Sequence, residues 1–121
     1  MRSDDELLST VCAGRYVRTL DDLPDRDRER RIATLLGFAR HVDRDPDQMV
    51  EEIFDEQTRK YRKRGFYTDA ARAFAATFDE PPNAQLQRAN VIRAFFIANG
   101  RRLVPDKPAW MSAPADTDEG E

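Results

Sequence analysis

Residues Thr58 to Gly65 read TRKYRKRG, and five of the six positions 59–64 are cations: Arg59, Lys60, Arg62, Lys63 and Arg64. The chemistry open to such a run is neutralisation of a polyanion, since each nucleic-acid phosphate met by a Lys or Arg releases a condensed counterion. A helix over 46–64 would carry Tyr61 on the apolar face of Val50, Ile53 and Phe54. Arg59, Arg62 and Lys63 would then point to solvent, with Lys60 and Arg64 at the flanks of the buried face. Cations in a last helical turn also complement the helix dipole, but one or two suffice for that and five exceed it. Three uses therefore stay open: a nucleic acid, an acidic protein partner, or a solvated face. A second candidate surface lies on the predicted last helix, where Gln87, Asn90 and Ala94 face away from the core and Arg88 and Arg93 flank them. Carboxamides can pair with adenine edges in a major groove, and a small Ala leaves room for the groove floor. An ordinary polar helix face is the plainer alternative.

Other chemistry is sparse. One His and one Cys leave almost no nitrogen or sulfur ligands for zinc. The acids Glu51, Glu52, Asp55 and Glu56 read more readily as a solvated helix face than as a metal site. Five scattered glycines make no phosphate loop. His41 sits at a helix end with no nucleophile spaced to use it, and Ser9, Thr10 and Cys12 lack a positioned base. No cofactor, metal or catalytic residue is expected.

The charge distribution agrees with the first motif. The chain of 121 residues has formal net charge -3, yet residues 1–56 carry -6, residues 57–107 carry +7 and residues 108–121 carry -4. A basic segment between two acidic ones points toward a polyanion partner. No run of apolar residues is long enough to span a bilayer, so no membrane partner is expected. The acidic start MRSDDELLST does not resemble a secretory signal, and the lone Cys12 suits a reducing compartment. The expected location is cytoplasmic.

The elements that must position these residues are helical. Residues 4–13 predict a short first helix ending at Gly14, and residues 15–24 a connecting arm. Ile32, Leu35, Leu36, Ala39 and Val42 recur at helical spacing and predict a helix over 25–41. Asp45, Pro46 and Gln48 form a capping-box start for the helix over 46–64, stopped at Gly65. Thr68 is the expected cap of a third helix with Tyr67, Ala71, Phe74 and Phe78 inward. Asn83 is the expected cap of a fourth running to Ala98, with Leu86, Ala89, Ile92, Phe95 and Phe96 inward. No stretch alternates long enough to predict a sheet. Residues 1–24 thus form an arm, 25–104 a helical domain, and 105–121 an extended, disordered acidic tail.

The segments LLGFARHVDRDPDQMVEE and NVIRAFFIANGRRL resemble the N-terminal core-binding domain of tyrosine recombinases and phage-type integrases. The matching pieces are Phe38, Asp45-Pro46, Ile92-Arg93 and Phe95-Phe96, within residues 25–104. The resemblance implies an all-α, compact four-helix SAM-like bundle, with a short extra N-terminal helix as an open addition. It also implies double-stranded DNA as partner, held by the second and fourth helices. Those are the helices assigned Arg59, Lys60, Arg62, Lys63 and Arg64, and Gln87, Arg88, Asn90 and Arg93. The family's catalytic domain has no counterpart in this sequence, so the expected function is DNA binding without strand cleavage, alone or beside a separate catalytic recombinase domain or protein. The alternative is a protein-interaction bundle docking an acidic partner through its basic helix end.

Overall fold

Caps written into the sequence start three of the helices. Ser3 and Glu6 close a capping box at the start of α1 (Asp4–Leu8), and Thr10 caps α2 (Val11–Arg18) through the Ala13 N–H. Asp45 accepts from the Gln48 N–H at 2.8 Å while the Gln48 side chain accepts from the Asp45 N–H at 2.9 Å, opening α4 (Pro46–Ile53) with Pro46 in its first turn. Between them runs α3 (Asp25–Val42), with Asp25 and Asp27 at its positive end. It ends where Asp43 turns left-handed at φ 58°, letting the Arg44 N–H reach the Ala39 carbonyl at 3.0 Å.

The computed structural model describes residues 3–103, and the predicted acidic tail 105–121 lies outside the described residues. After α4 the chain forms a hairpin, β1 (Phe54–Asp55) and β2 (Lys60–Tyr61), followed by α5 (Arg64–Ala76) and α6 (Pro82–Ala98). The fold is mainly α. No helix among the described residues is long and apolar enough to cross a membrane.

One core joins all six helices. Phe38 of α3 packs edge-on to Phe74 of α5 at 5.6 Å between ring centres, and Tyr67 of α5 meets Phe96 of α6 at 5.2 Å. Tyr16 of α2 lies edge-on to Phe95 at 6.3 Å. Such aromatic pairs add to the burial energy of each ring. Asn99 ties the N-terminal helices to the end of α6, since its side-chain amide donates to the carbonyls of Cys12 (3.1 Å) and Phe95 (3.0 Å).

Several expectations are corrected here. The single helix over 4–13 is two helices, broken at Ser9 and Thr10, and Gly14 lies inside the second. The N-terminal stretch expected as an arm supplies Leu7, Cys12, Ala13, Tyr16 and Leu20 to the core. The helix over 46–64 stops at Ile53, and a short sheet, not expected at all, takes up its second half. Gly65 is therefore the second residue of α5 and ends no helix, and Thr68 lies within α5, where it donates to the Arg64 carbonyl and caps nothing. Asn83 lies within α6, whose cap position is Pro81. Leu86 is 47% exposed, not inward. Its error is one of phase: 86, 89 and 92 are successive three-residue steps, and each step drifts about 60° around a helix. Leu86 thus falls on the outer side with Asn90, Arg93 and Ile97.

Candidate nucleic-acid interface

The basic stretch sits on the hairpin and the start of α5, not on the last turn of a helix. Phe54 pairs with Tyr61 and Asp55 with Lys60 in antiparallel register. The four-residue loop between them is shaped by Asp55. Its side chain accepts from the Gln57 N–H at 2.9 Å and its carbonyl from the Arg59 N–H at 2.7 Å. The loop closes only with Arg59 in the left-handed region at φ 61°. The Gln57 N–H, joined by Thr58 and the Arg62 cation, holds the Asp55 carboxyl below its ordinary value.

The hairpin is held down on its aromatic side. Phe54 and Tyr61 meet edge-on at 5.0 Å. The Arg101 guanidinium lies over the Phe54 ring at 4.3 Å, and the Arg64 guanidinium over the Tyr61 ring at 4.1 Å. The Tyr61 hydroxyl accepts from the Arg102 N–H at 2.9 Å. Underneath, Glu52 is a hub. It accepts from the buried Tyr67 hydroxyl and faces Arg44 at 3.5 Å and Lys63 at 3.9 Å. Burial first, and the Glu52 carboxylate next, push the Tyr67 hydroxyl well above its ordinary pKa.

These contacts divide the five cations. Arg62 faces Asp55 at 3.3 Å, Lys63 faces Glu52 and the Phe66 ring, and Arg64 is stacked on Tyr61. Arg59 and Lys60 are exposed and meet no carboxylate among the described residues. Arg102 joins them: it is exposed, unpaired among the described residues, and fixed to the hairpin by its backbone. Sequence reasoning missed it because only the tertiary fold brings the end of α6 to Tyr61.

The residues expected on the last helix lie on it, away from the hairpin. Gln87, Arg88 and Asn90 lie in the first half of α6, so the helix itself separates Asn90 from the hairpin end by about 12 Å of axial rise. Asn90 accepts from Arg93, and Gln87 and Asn90 are exposed. Arg88 is a strap. Both its Nε and Nη2 donate to Glu80 at 2.8 Å, its Nη1 reaches the Thr34 hydroxyl at 3.3 Å, and its guanidinium covers Phe78 at 3.7 Å. Glu80 raises the Arg88 pKa, and the Arg88 hydrogen bonds lower that of Glu80. Gln87, Arg88 and Asn90 face Arg30 and Arg31 of α3 across a cleft of about 400 Å³. The two α3 arginines carried no signal in the sequence beyond a polar helix face. The structure thus brings together two groups of cations at different places, not one continuous surface. Comparison of the chain with protein-family models, curated proteins and solved structures finds no match in any of the three.

Proposed function

We propose that this chain is a cytoplasmic DNA-binding helical module without catalysis of its own, and that the hairpin end is its contact with double-stranded DNA. The observation that carries the reading is the exposure of Arg59 and Lys60 on the hairpin, with Arg102 tied by its backbone to the Tyr61 hydroxyl, and no ion pair for any of the three among the described residues. Unpaired guanidinium and ammonium groups on an exposed turn suit an extended row of phosphates, and such contacts position a protein on duplex DNA without reading its sequence. Arg62 and Lys63 can add to the field, since their ion pairs are exposed and worth little. In this reading the helices play the part of a SAM-like core-binding domain, and strand cleavage belongs to a separate catalytic recombinase domain or protein.

A second reading has its own observation. Phe66 is 53% exposed and lies beneath the Lys63 ammonium, an aromatic-plus-cation pairing that suits an acidic protein partner.

Fluorescence anisotropy on a labelled duplex, repeated over a range of salt, tests the first reading. Binding should weaken steeply with salt. Replacing Arg59, Lys60 and Arg102 together with Gln should make the slope of log affinity shallower by up to about 2.7, at roughly 0.9 per phosphate contact. An unchanged slope would remove the hairpin from the interface. Binding to polyglutamate but not to DNA, lost in Phe66→Ala, would put the protein-partner reading first.

A further inference from the structure

The α3–α6 cleft has a chemistry that the duplex contact does not use. Arg30 and Arg31 come from α3; Gln87, Arg88 and Asn90 come from α6; and Thr34 and Val91, both buried, form its base. Glu80 is the one carboxylate among the lining residues, and Arg88 already forks both of its oxygens. That pair cancels within the cleft. The two α3 cations remain. The ion-pair partner of Arg30 is Asp27, at 3.4 Å, with the two side chains 55% and 43% exposed, so that pair competes weakly with a bound anion. Arg31 faces a neutral group, the buried Tyr16 hydroxyl, and no ion-pair partner for it is found among the described residues.

We propose that this cleft binds a small phosphate monoester, its phosphate held by Arg30 and Arg31 and its organic part met by the carboxamides of Gln87 and Asn90. Guanidinium forks match phosphate oxygens in geometry and charge. The volume of about 400 Å³ falls among small-molecule sites, which run from roughly 300 to 1,000 Å³. The cleft residues of α6 lie away from the hairpin, so the two sites can be tested separately.

Isothermal titration of the whole chain in phosphate-free buffer tests this with three probes: inorganic phosphate, a pentose 5-phosphate and a nucleoside 5′-monophosphate. One-site binding is expected, weaker at pH about 5 than at pH about 7.5 because a phosphate monoester loses its second charge near pH 6. Arg30→Gln and Arg31→Gln should each weaken it roughly tenfold or more, which is about 1.4 kcal/mol. The Arg59→Gln, Lys60→Gln pair should leave it unchanged. Arg31 also faces the core at Tyr16, so Arg30→Gln, at an exposed position, carries the test if Arg31→Gln loses its fold. An ester bound more tightly than inorganic phosphate, with the margin lost in Asn90→Ala, supports the role of the amides. No binding by any probe at low-millimolar concentration overturns the proposal. So does binding that Arg30→Gln leaves intact, or binding that the hairpin pair abolishes.

Discussion

The hairpin and the α3–α6 cleft both carry surplus arginine, on an exposed turn in one case and along a hollow in the other. At the hairpin the unpaired cations sit on an exposed turn whose carboxylates are engaged by other groups: Glu52 by Tyr67, Arg44 and Lys63, Asp55 by its own turn and Arg62, and the exposed Glu56 by Arg101. In the cleft the cations look into a hollow whose one carboxylate is locked by Arg88. On the proposed readings, the same side chain serves two kinds of anion, an extended one outside and a compact one inside. What differs is the framework of neutral and acidic groups that holds each arginine.

Both regions rest on α6, and the largest expected effect breaks them together. Phe95 is fully buried against Tyr16 and Phe96. Phe95→Ala should cost about 3–5 kcal/mol, read from the urea midpoint. A loss below about 1 kcal/mol would show that α6 is not the common floor.

Tyr67→Phe separates the two regions. It removes a buried hydroxyl from Glu52, which keeps Arg44 and Lys63, so a cost of about 1–2 kcal/mol at neutral pH is expected. The damage should fall on the hairpin and spare the cleft. Alkaline pH sharpens this. Burial raises the Tyr67 hydroxyl from its ordinary value of 10.0, and burial followed by Asp47 pushes the Cys12 thiol from 9.0 up to about 12. In both cases the folded state holds its proton more firmly than the unfolded state. The Cys12 contribution is therefore complete below pH 9 and is lost as pH rises from 9 to about 12, while that of Tyr67 begins to be lost only above pH 10.0 and is still being lost at the top of that window. The urea midpoint should fall over that window, less steeply in Cys12→Ala and in Tyr67→Phe. A midpoint flat across it would show that neither group is buried as described.

A smaller effect is confined to the cleft. Glu80→Gln removes its one lining carboxylate and leaves the Arg88 charge uncancelled. Phosphate-ester binding should tighten several-fold, up to roughly tenfold at low salt. The salt slope on duplex DNA should not move. A change in the slope instead would mean that the duplex reaches the cleft and that the two regions are one.

The sequence was informative where one local rule had no rival. Asp45, Pro46 and Gln48 can cap a helix and do little else together, and that start is found at those residues. The inward faces of α3 and α5 were legible for the same reason: Leu35, Leu36 and Ala39, and Tyr67, Ala71 and Phe74, are buried at helical spacing. The hairpin was hidden because its aromatic pair fits two patterns. Phe54 and Tyr61 are seven apart, which puts them on one face of a helix and, across a four-residue loop, directly opposite each other in a hairpin. What decides is not periodic: the Asp55 side chain turns the backbone, and Arg101 and Arg102 arrive from the far end of α6 to cover Phe54 and meet Tyr61. The cleft was half legible. Gln87, Arg88 and Asn90 stood out as polar helix residues, but their facing partners Arg30 and Arg31 come from more than fifty positions away and only packing pairs them.

The smallest expected effect opposes folding to binding at one residue. Arg59 holds φ 61°, a region that costs an L-residue roughly 1–2 kcal/mol and glycine almost nothing. Arg59→Gly relieves that strain but loosens the unfolded chain, at a cost of roughly 0.5–1 kcal/mol, so the net should be a gain of about 0.5 kcal/mol. Its backbone bond to the Asp55 carbonyl needs no side chain and should persist. If the hairpin meets phosphates, the same change should make the DNA salt slope shallower by about 0.9. The variant should therefore unfold at slightly higher urea and bind duplex DNA less well, while its phosphate-ester titration stays as in the parent. A hairpin that served only the fold would give the first result without the second. A loss of stability would show instead that the side chain, and not the turn, holds Arg59 in place.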